Sequence, residues 1–352
     1  MKHSMPITLS LVLIFIFSQL IGLAIVNEYI DITQTSETGA TVTRDETYNL
    51  VGLEPPEVKN ESYTWIFILA AILIGTGLVL LIIRFKKMGI WKIWFFIAMF
   101  VCLRYALTPF IAKFAGLFSS GLVAYSVYAA IVISLVLAFY KAYRFNVYIH
   151  NITELLVYGG LAALVIPILN LTSAILLLIG ISIYDMIAVW KSKHMVTMAK
   201  AQANARVFAG LMIPYKKSDS FNQSSSHADK TSAMSKIEIS RNTRAAKKVT
   251  DDSLHKKPVQ EIPDKHDKEN KKHRQKSISS AILGGGDIAF PLLFSAAVLK
   301  STGSFLEPMI ITFSTATALF LLFVYAKKDR FYPAMPFISA GCFIGLFITL
   351  LL

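Results

Sequence analysis

Nine stretches of this chain are apolar over about 20 residues each, the length a helix needs to cross a bilayer. They run at about 7–27, 64–83, 90–112, 118–140, 148–169, 171–190, 278–300, 305–326 and 332–352. Composition agrees: 55% of residues are hydrophobic and only 16% charged, with a mean hydropathy of +0.56, too apolar for a soluble domain. The expected fold is therefore all-α, a polytopic membrane protein with nine transmembrane helices. The first run, Ile7 to Val26, follows Lys2 and could be taken for a signal peptide. It is longer than a usual signal core, and Gly22-Leu23-Ala24 is a weak cleavage site, so it reads as an uncleaved span. Cys102 and Cys342 both fall inside spans and read as small packing residues.

Charge sets the expected orientation, because short loops rich in Lys and Arg stay in the cytoplasm. Arg84, Lys86, Lys87 and Lys92 follow the second span, Lys141 and Arg144 the fourth, and Lys327, Lys328 and Arg330 the eighth. Residues 191–277, after the sixth span, hold 20 Lys and Arg against nine Asp and Glu, most of the net charge of +13. Residues 28–63 instead hold eight acids against Arg44 and Lys59. All the basic loops then share one side, with the N-terminus cytoplasmic and the C-terminus outside.

The basic excess does not read as a nucleic-acid site. It sits in one low-complexity segment of Ser, Lys, Asp and His without interleaved aromatics. Its five histidines have no ligand spacing, so no metal and no cofactor is expected. The segment reads as a disordered linker that touches, at most, anionic lipid. Ahead of it, residues 194–215 place Val196, Ala199, Ala203, Val207 and Leu211 on one helical face, which predicts a short helix at the membrane surface. The expected organisation is a six-helix part with that surface helix over 1–215, a disordered basic loop over 216–277, and a three-helix part over 278–352.

An ionisable residue inside a span is a functional candidate by default. Arg104 is expected to pair with a carboxylate or to snorkel. Glu154 and Glu307 lie near helix starts, where the helix dipole and nearby water make a carboxylate inexpensive. Asp185, in "IGISIYDMIAVWK", and Asp287, in "LGGGDIAFP", remain. Asp185 precedes Lys191 by six residues, about 9 Å of helix, and Asp287 follows Lys276 by eleven, about 16 Å. The two spans run in opposite directions, so both carboxylates fall in the inner half of the bilayer.

Two close carboxylates share a proton, and such a pair carries out aspartic proteolysis: one activates water while the other polarises the scissile carbonyl. Intramembrane aspartates also relay protons or ions in transporters and leak channels. From the two aspartates alone, both readings stand.

The neighbouring residues separate them. Tyr184-Asp185, Gly284-Gly285-Gly286-Asp287 and Pro333-Ala334-Met335-Pro336 resemble, in order and in the expected spans, the Tyr-Asp, Gly-x-Gly-Asp and Pro-Ala-Leu motifs of presenilin and signal peptide peptidase, the GxGD intramembrane aspartyl proteases. The resemblance covers nearly the whole chain and points to the microbial, archaeal-type branch. Met335 stands where the family has Leu. Prepilin-peptidase-like enzymes also carry GxGD but lack the third motif, so they match less well; an ion transporter or channel would be favoured by an inverted repeat, and none is visible.

What the resemblance implies is an aspartic endopeptidase that cuts transmembrane segments of other proteins, with Asp185 and Asp287 as the dyad. Tyr184, Gly284, Gly286, Pro333, Ala334 and Met335 would shape the site and bind an unwound substrate strand, together with residues leading into the seventh span. It further implies a multi-pass plasma-membrane protein whose partners are substrate helices and lipid, with homo-oligomerisation left open. Pro291 and the glycines are expected to loosen the backbone around Asp287. Tyr184 is expected either to hydrogen-bond beside the dyad or to pack.

Overall fold

The computed structural model describes residues 5–31, 44–52, 61–85, 87–144, 146–192, 209–215, 279–326 and 332–352. Ten α-helices lie in these residues. They are α1 (Met5–Asn27), α2 (Asp45–Val51), α3 (Thr64–Arg84), α4 (Met88–Gly116), α5 (Ser120–Tyr143), α6 (Val147–Val165), α7 (Leu171–Ile187), α8 (Gly285–Thr302), α9 (Leu306–Tyr325) and α10 (Met335–Leu351). Among them α1, α3, α4, α5, α6, α7 and α9 are long and apolar enough to cross a membrane. Of the remaining two expected spans, α10 is a shorter apolar helix of 17 residues, and α8, of 18, carries Asp287 and Lys300 and is not among the seven. The described residues are mostly helical, as expected.

Two strands, β1 (Gly210–Tyr215) and β2 (Ser279–Gly284), pair into a two-stranded sheet, where the sequence reading expected a surface helix and the start of a span. The local reasons are visible in both. Gly210 adopts φ +146°, a conformation that favours glycine, and Pro214 lacks the N–H a continuing helix needs. Asn151, on α6, then takes over the Met212 backbone: its Nδ2 donates to Met212 O at 2.8 Å and its Oδ1 accepts from Met212 N at 3.0 Å. In β2, Ala281 and Leu283 are buried while Ile282 is exposed, a period of two rather than 3.6. Residues 194–208 and 216–276, where the rest of that surface helix and the linker were expected, lie outside the described residues.

Two units are distinguishable: Met1–Ile213 with Ala281–Leu352, and Pro214–Ser280. In the second, the described residues are the last two of β1 and the first two of β2. The first is a helical bundle in which α4 packs on α5 and α6, α1 on α6, α9 on α10, and α8 on α1, α6, α7, α9 and α10. Helix starts are capped where the sequence offers a short polar side chain. Ser119 accepts from Gly121 N, Asn146 from Tyr148 N and Asn170 from Ser173 N.

Lipid tails are as apolar as leucine, so helices in a bilayer associate through close backbone approach and polar ties. Both devices are present. A Cβ at Gly160 would lie 1.9 Å from the Cys102 carbonyl oxygen, and one at Gly345 would lie 2.7 Å from the Ile311 Cα. Tyr29 Oη donates to Tyr105 O at 2.5 Å and Tyr48 Oη to Ala163 O at 3.1 Å, while their rings pack with that of Tyr105. Lys300, at the end of α8, donates to Glu61 Oε2 at 3.1 Å and to Pro167 O at 3.0 Å. Helix α3 stands apart: most of its apolar surface is exposed, Phe67 and Ile74 being about two-thirds uncovered.

Candidate active site

Asp185 lies near the end of α7, and a π-helical turn over Ala188–Ser192 follows at once. Its side chain is half-buried. Asp185 Oδ2 accepts from the Met335 N–H at 3.1 Å, with the Ala334 amide next to it in the chain. The reason lies in the third motif. Met335 opens α10 with Ala334 as its cap. The first amides of a helix have no partner within it, and their positive partial charge favours an anion. Pro336, already inside the first turn, has no N–H to offer. Pro333 and Pro336 therefore bracket two free donors and present them to Asp185. One turn further along, Ser182 Oγ and Ser339 Oγ share a buried hydrogen bond of 2.8 Å, a second tie between α7 and α10.

Asp287 is the third residue of α8, which Gly284 caps in an extended conformation. The carboxylate folds back over its own cap: a Cβ at Gly284 would lie 3.1 Å from Asp287 Oδ2. Any side chain at 284 would have to displace it. A Cβ at Gly286 would meet the Phe290 ring at 3.4 Å. Pro291, four residues on and buried within α8, cannot donate to the Asp287 carbonyl. From α1, Gln19 Nε2 donates to Ile288 O at 2.9 Å, fixing the next residue of the turn. Helices α7, α8 and α10 pack on one another, which puts Asp185 and Asp287 on adjoining helices.

The expected site residues lie at the end of α7 (Tyr184 and Asp185), at the start of α8 (Gly284, Gly286 and Asp287) and at the start of α10 (Pro333, Ala334 and Met335). Tyr184 Oη donates to Thr76 Oγ1 at 3.2 Å, which ties α7 to the sparsely packed α3. One correction concerns Glu154. It is not a water-facing helix-start carboxylate. It is fully buried and ion-paired with Lys141 at 2.5 Å, so Lys141 is not a loop residue either. Arg104 extends toward Gly52, its Nη2 lying 3.5 Å from where a Cβ would stand.

Sequence reasoning missed Gly285, the middle glycine, whose Cβ position lies 2.9 Å from Tyr158 Oη. It also missed Tyr158 and Gln19. Their one sequence signal is polarity inside an apolar span. Among the described residues, no three His, Cys, Asp or Glu side chains group as metal ligands would.

A bundle of apolar helices thus holds Asp185 near the end of α7 and Asp287 at the start of the adjoining α8. The family described as signal-peptide peptidase, presenilin aspartyl protease matches residues 42–352. The chain belongs to that family and is an intramembrane aspartic endopeptidase. A solved structure of a presenilin family intramembrane aspartate protease is similar over 98% of this chain and 99% of that one, at 13% identity and a TM-score of 0.52, a likeness of fold. A comparison with curated proteins finds no match.

Proposed function

We propose that Asp185 and Asp287 are the catalytic dyad. The observation that carries this reading is the convergence of the α10 amides on Asp185 while Asp287 heads the adjoining helix α8. One carboxyl of the pair is protonated and the other ionised. The ionised group takes a proton from water as the water oxygen bonds to the substrate carbonyl carbon. The protonated group gives its proton to the carbonyl oxygen. Collapse of this tetrahedral intermediate breaks the C–N bond: the carboxyl that took the water proton gives it to the leaving nitrogen, and the other carboxylate takes one back from a hydroxyl of the intermediate, so the pair again holds one proton. The proton belongs to the pair rather than to either residue.

The substrate is a transmembrane segment, which must unwind to expose its peptide bond. In the described residues β1 and β2 pair only with each other, and β2 runs straight into Gly284 and Asp287. Its backbone, with the Pro333–Met335 segment, supplies partners for an extended substrate. The basic loops support a cytoplasmic N-terminus and an outside C-terminus, and the resemblance to the microbial branch supports the plasma membrane. The resemblance to presenilin supports substrates with their N-terminus outside and C-terminus cytoplasmic, cut in the inner half of the bilayer.

The test is cleavage of a transmembrane peptide by the purified full chain in lipid. Asp185→Ala and Asp287→Ala are each expected to abolish product while keeping the helical circular dichroism. Near-normal turnover in either variant would sink the dyad. A reporter fused after Leu352 is expected outside, and a cytoplasmic signal would overturn the topology.

A further inference from the structure

Beside the two aspartates lies a chain of buried polar groups that the proteolytic chemistry does not use. Lys141 Nζ and Glu154 Oε1 meet at 2.5 Å, and neither side chain has exposed surface. Burying such a pair costs several kcal/mol of desolvation per ion, so it is poor evidence for stability alone. Glu154 Oε2 is buried with no well-aligned partner, as is Tyr158 Oη one helical turn later. The two residues lie four apart on α6, on one helix face. Tyr158 Oη in turn occupies the space where a Gly285 side chain would be, 2.9 Å from the Cβ position. Gly285 begins α8, two residues before Asp287.

We infer that Tyr158 is a positioning residue for Asp287, itself oriented by the Glu154–Lys141 ion pair. The inference rests on the reading of Asp287 as a dyad member. The first turn of α8 carries three successive glycines, Gly284, Gly285 and Gly286, and is the least self-determined backbone in the site. An external contact must fix its depth. Gln19 holds the Ile288 carbonyl from α1, and Tyr158 bears on Gly285 from α6. Together they bracket Asp287 and set its distance from Asp185. A misplacement of about 1 Å at such a centre costs about a hundredfold in rate.

Tyr158→Phe removes one oxygen and keeps the ring. In the full chain in lipid, with a transmembrane peptide as substrate, it is expected to lower kcat about tenfold or more while KM stays within about twofold. Gly285→Ala is the second variant. Its methyl meets the Tyr158 oxygen, so kcat falls in the same way, with KM retained. Added to Tyr158→Phe, where that oxygen is gone and the nearest remaining contact is Ala209 at 3.4 Å, Gly285→Ala is expected to cost little more. Packing alone would spare kcat or move KM and thermal stability together. Normal kcat in Tyr158→Phe overturns the inference; should that variant not fold, normal kcat in Gly285→Ala does so. Cleavage surviving in Asp287→Ala would instead remove the dyad reading beneath it.

Discussion

The Met335 amide donates to Asp185 Oδ2 at 3.1 Å across 150 residues of sequence. A backbone donor cannot be removed by changing most side chains. On the proposed reading the third motif acts through its prolines and its place at a helix start, and its buried third side chain needs to keep its size.

From this follows a contrast at position 335. Met335→Leu is volume-conserving in a buried site and is expected to keep activity within about twofold, since the amide survives. Met335→Pro deletes the N–H that bonds Asp185, and activity is expected to fall about tenfold or more. Peptide cleavage by the two purified variants decides. Equal activity in both would show that the amide is not used.

Two glycines predict opposite stability effects. Gly160→Ala places a methyl against the Cys102 backbone oxygen, 1.9 Å away before relaxation. It should separate α4 from α6 and destabilise by about 1–3 kcal/mol or more. Gly75, on the open face of α3, has nothing within 4 Å. Gly75→Ala should be neutral or stabilising by up to about 1 kcal/mol. Thermal unfolding in detergent reads both.

The buried ion pair makes a charge prediction. Glu154→Ala leaves Lys141 charged and unpaired in a site with no exposed surface, costing about 3–5 kcal/mol. Removing both charges with Lys141→Met and Glu154→Leu should restore most of that stability. Activity should stay low in the double variant, because Tyr158 has lost its orienting carboxylate. Parallel melting and cleavage assays check the two halves separately.

Residues 216–276 are expected to be dispensable for folding, since their composition cannot bury a core. A chain lacking them should insert and retain its helical signal. Aggregation of the shortened chain would count against the linker reading.

The architecture and the chemistry were legible by different routes. Long apolar runs announce spans because a bilayer demands satisfied backbone over a fixed thickness. Asp185 and Asp287 stood out because charge in such a run is costly and rare. Partners were harder to read. A helix in lipid is apolar all round, so periodicity does not say which face meets protein, as the nearly bare surface of α3 shows. Hence Glu154 read as a wet helix start, although Lys141 waited thirteen residues back across a turn.

The sequence by itself determined that the chain is built of long apolar helices and which family it resembles, and it singled out Asp185 and Asp287 as candidates. The tertiary structure alone decided that residues 210–215 and 279–284 are strands, that Tyr184 bonds Thr76, and that Tyr158 fills the space a side chain at Gly285 would take. The physical reason is the same in each case. These outcomes hang on single contacts between distant segments, each worth about 1 kcal/mol, and a local pattern of residue types carries no record of which distant atom will be within reach.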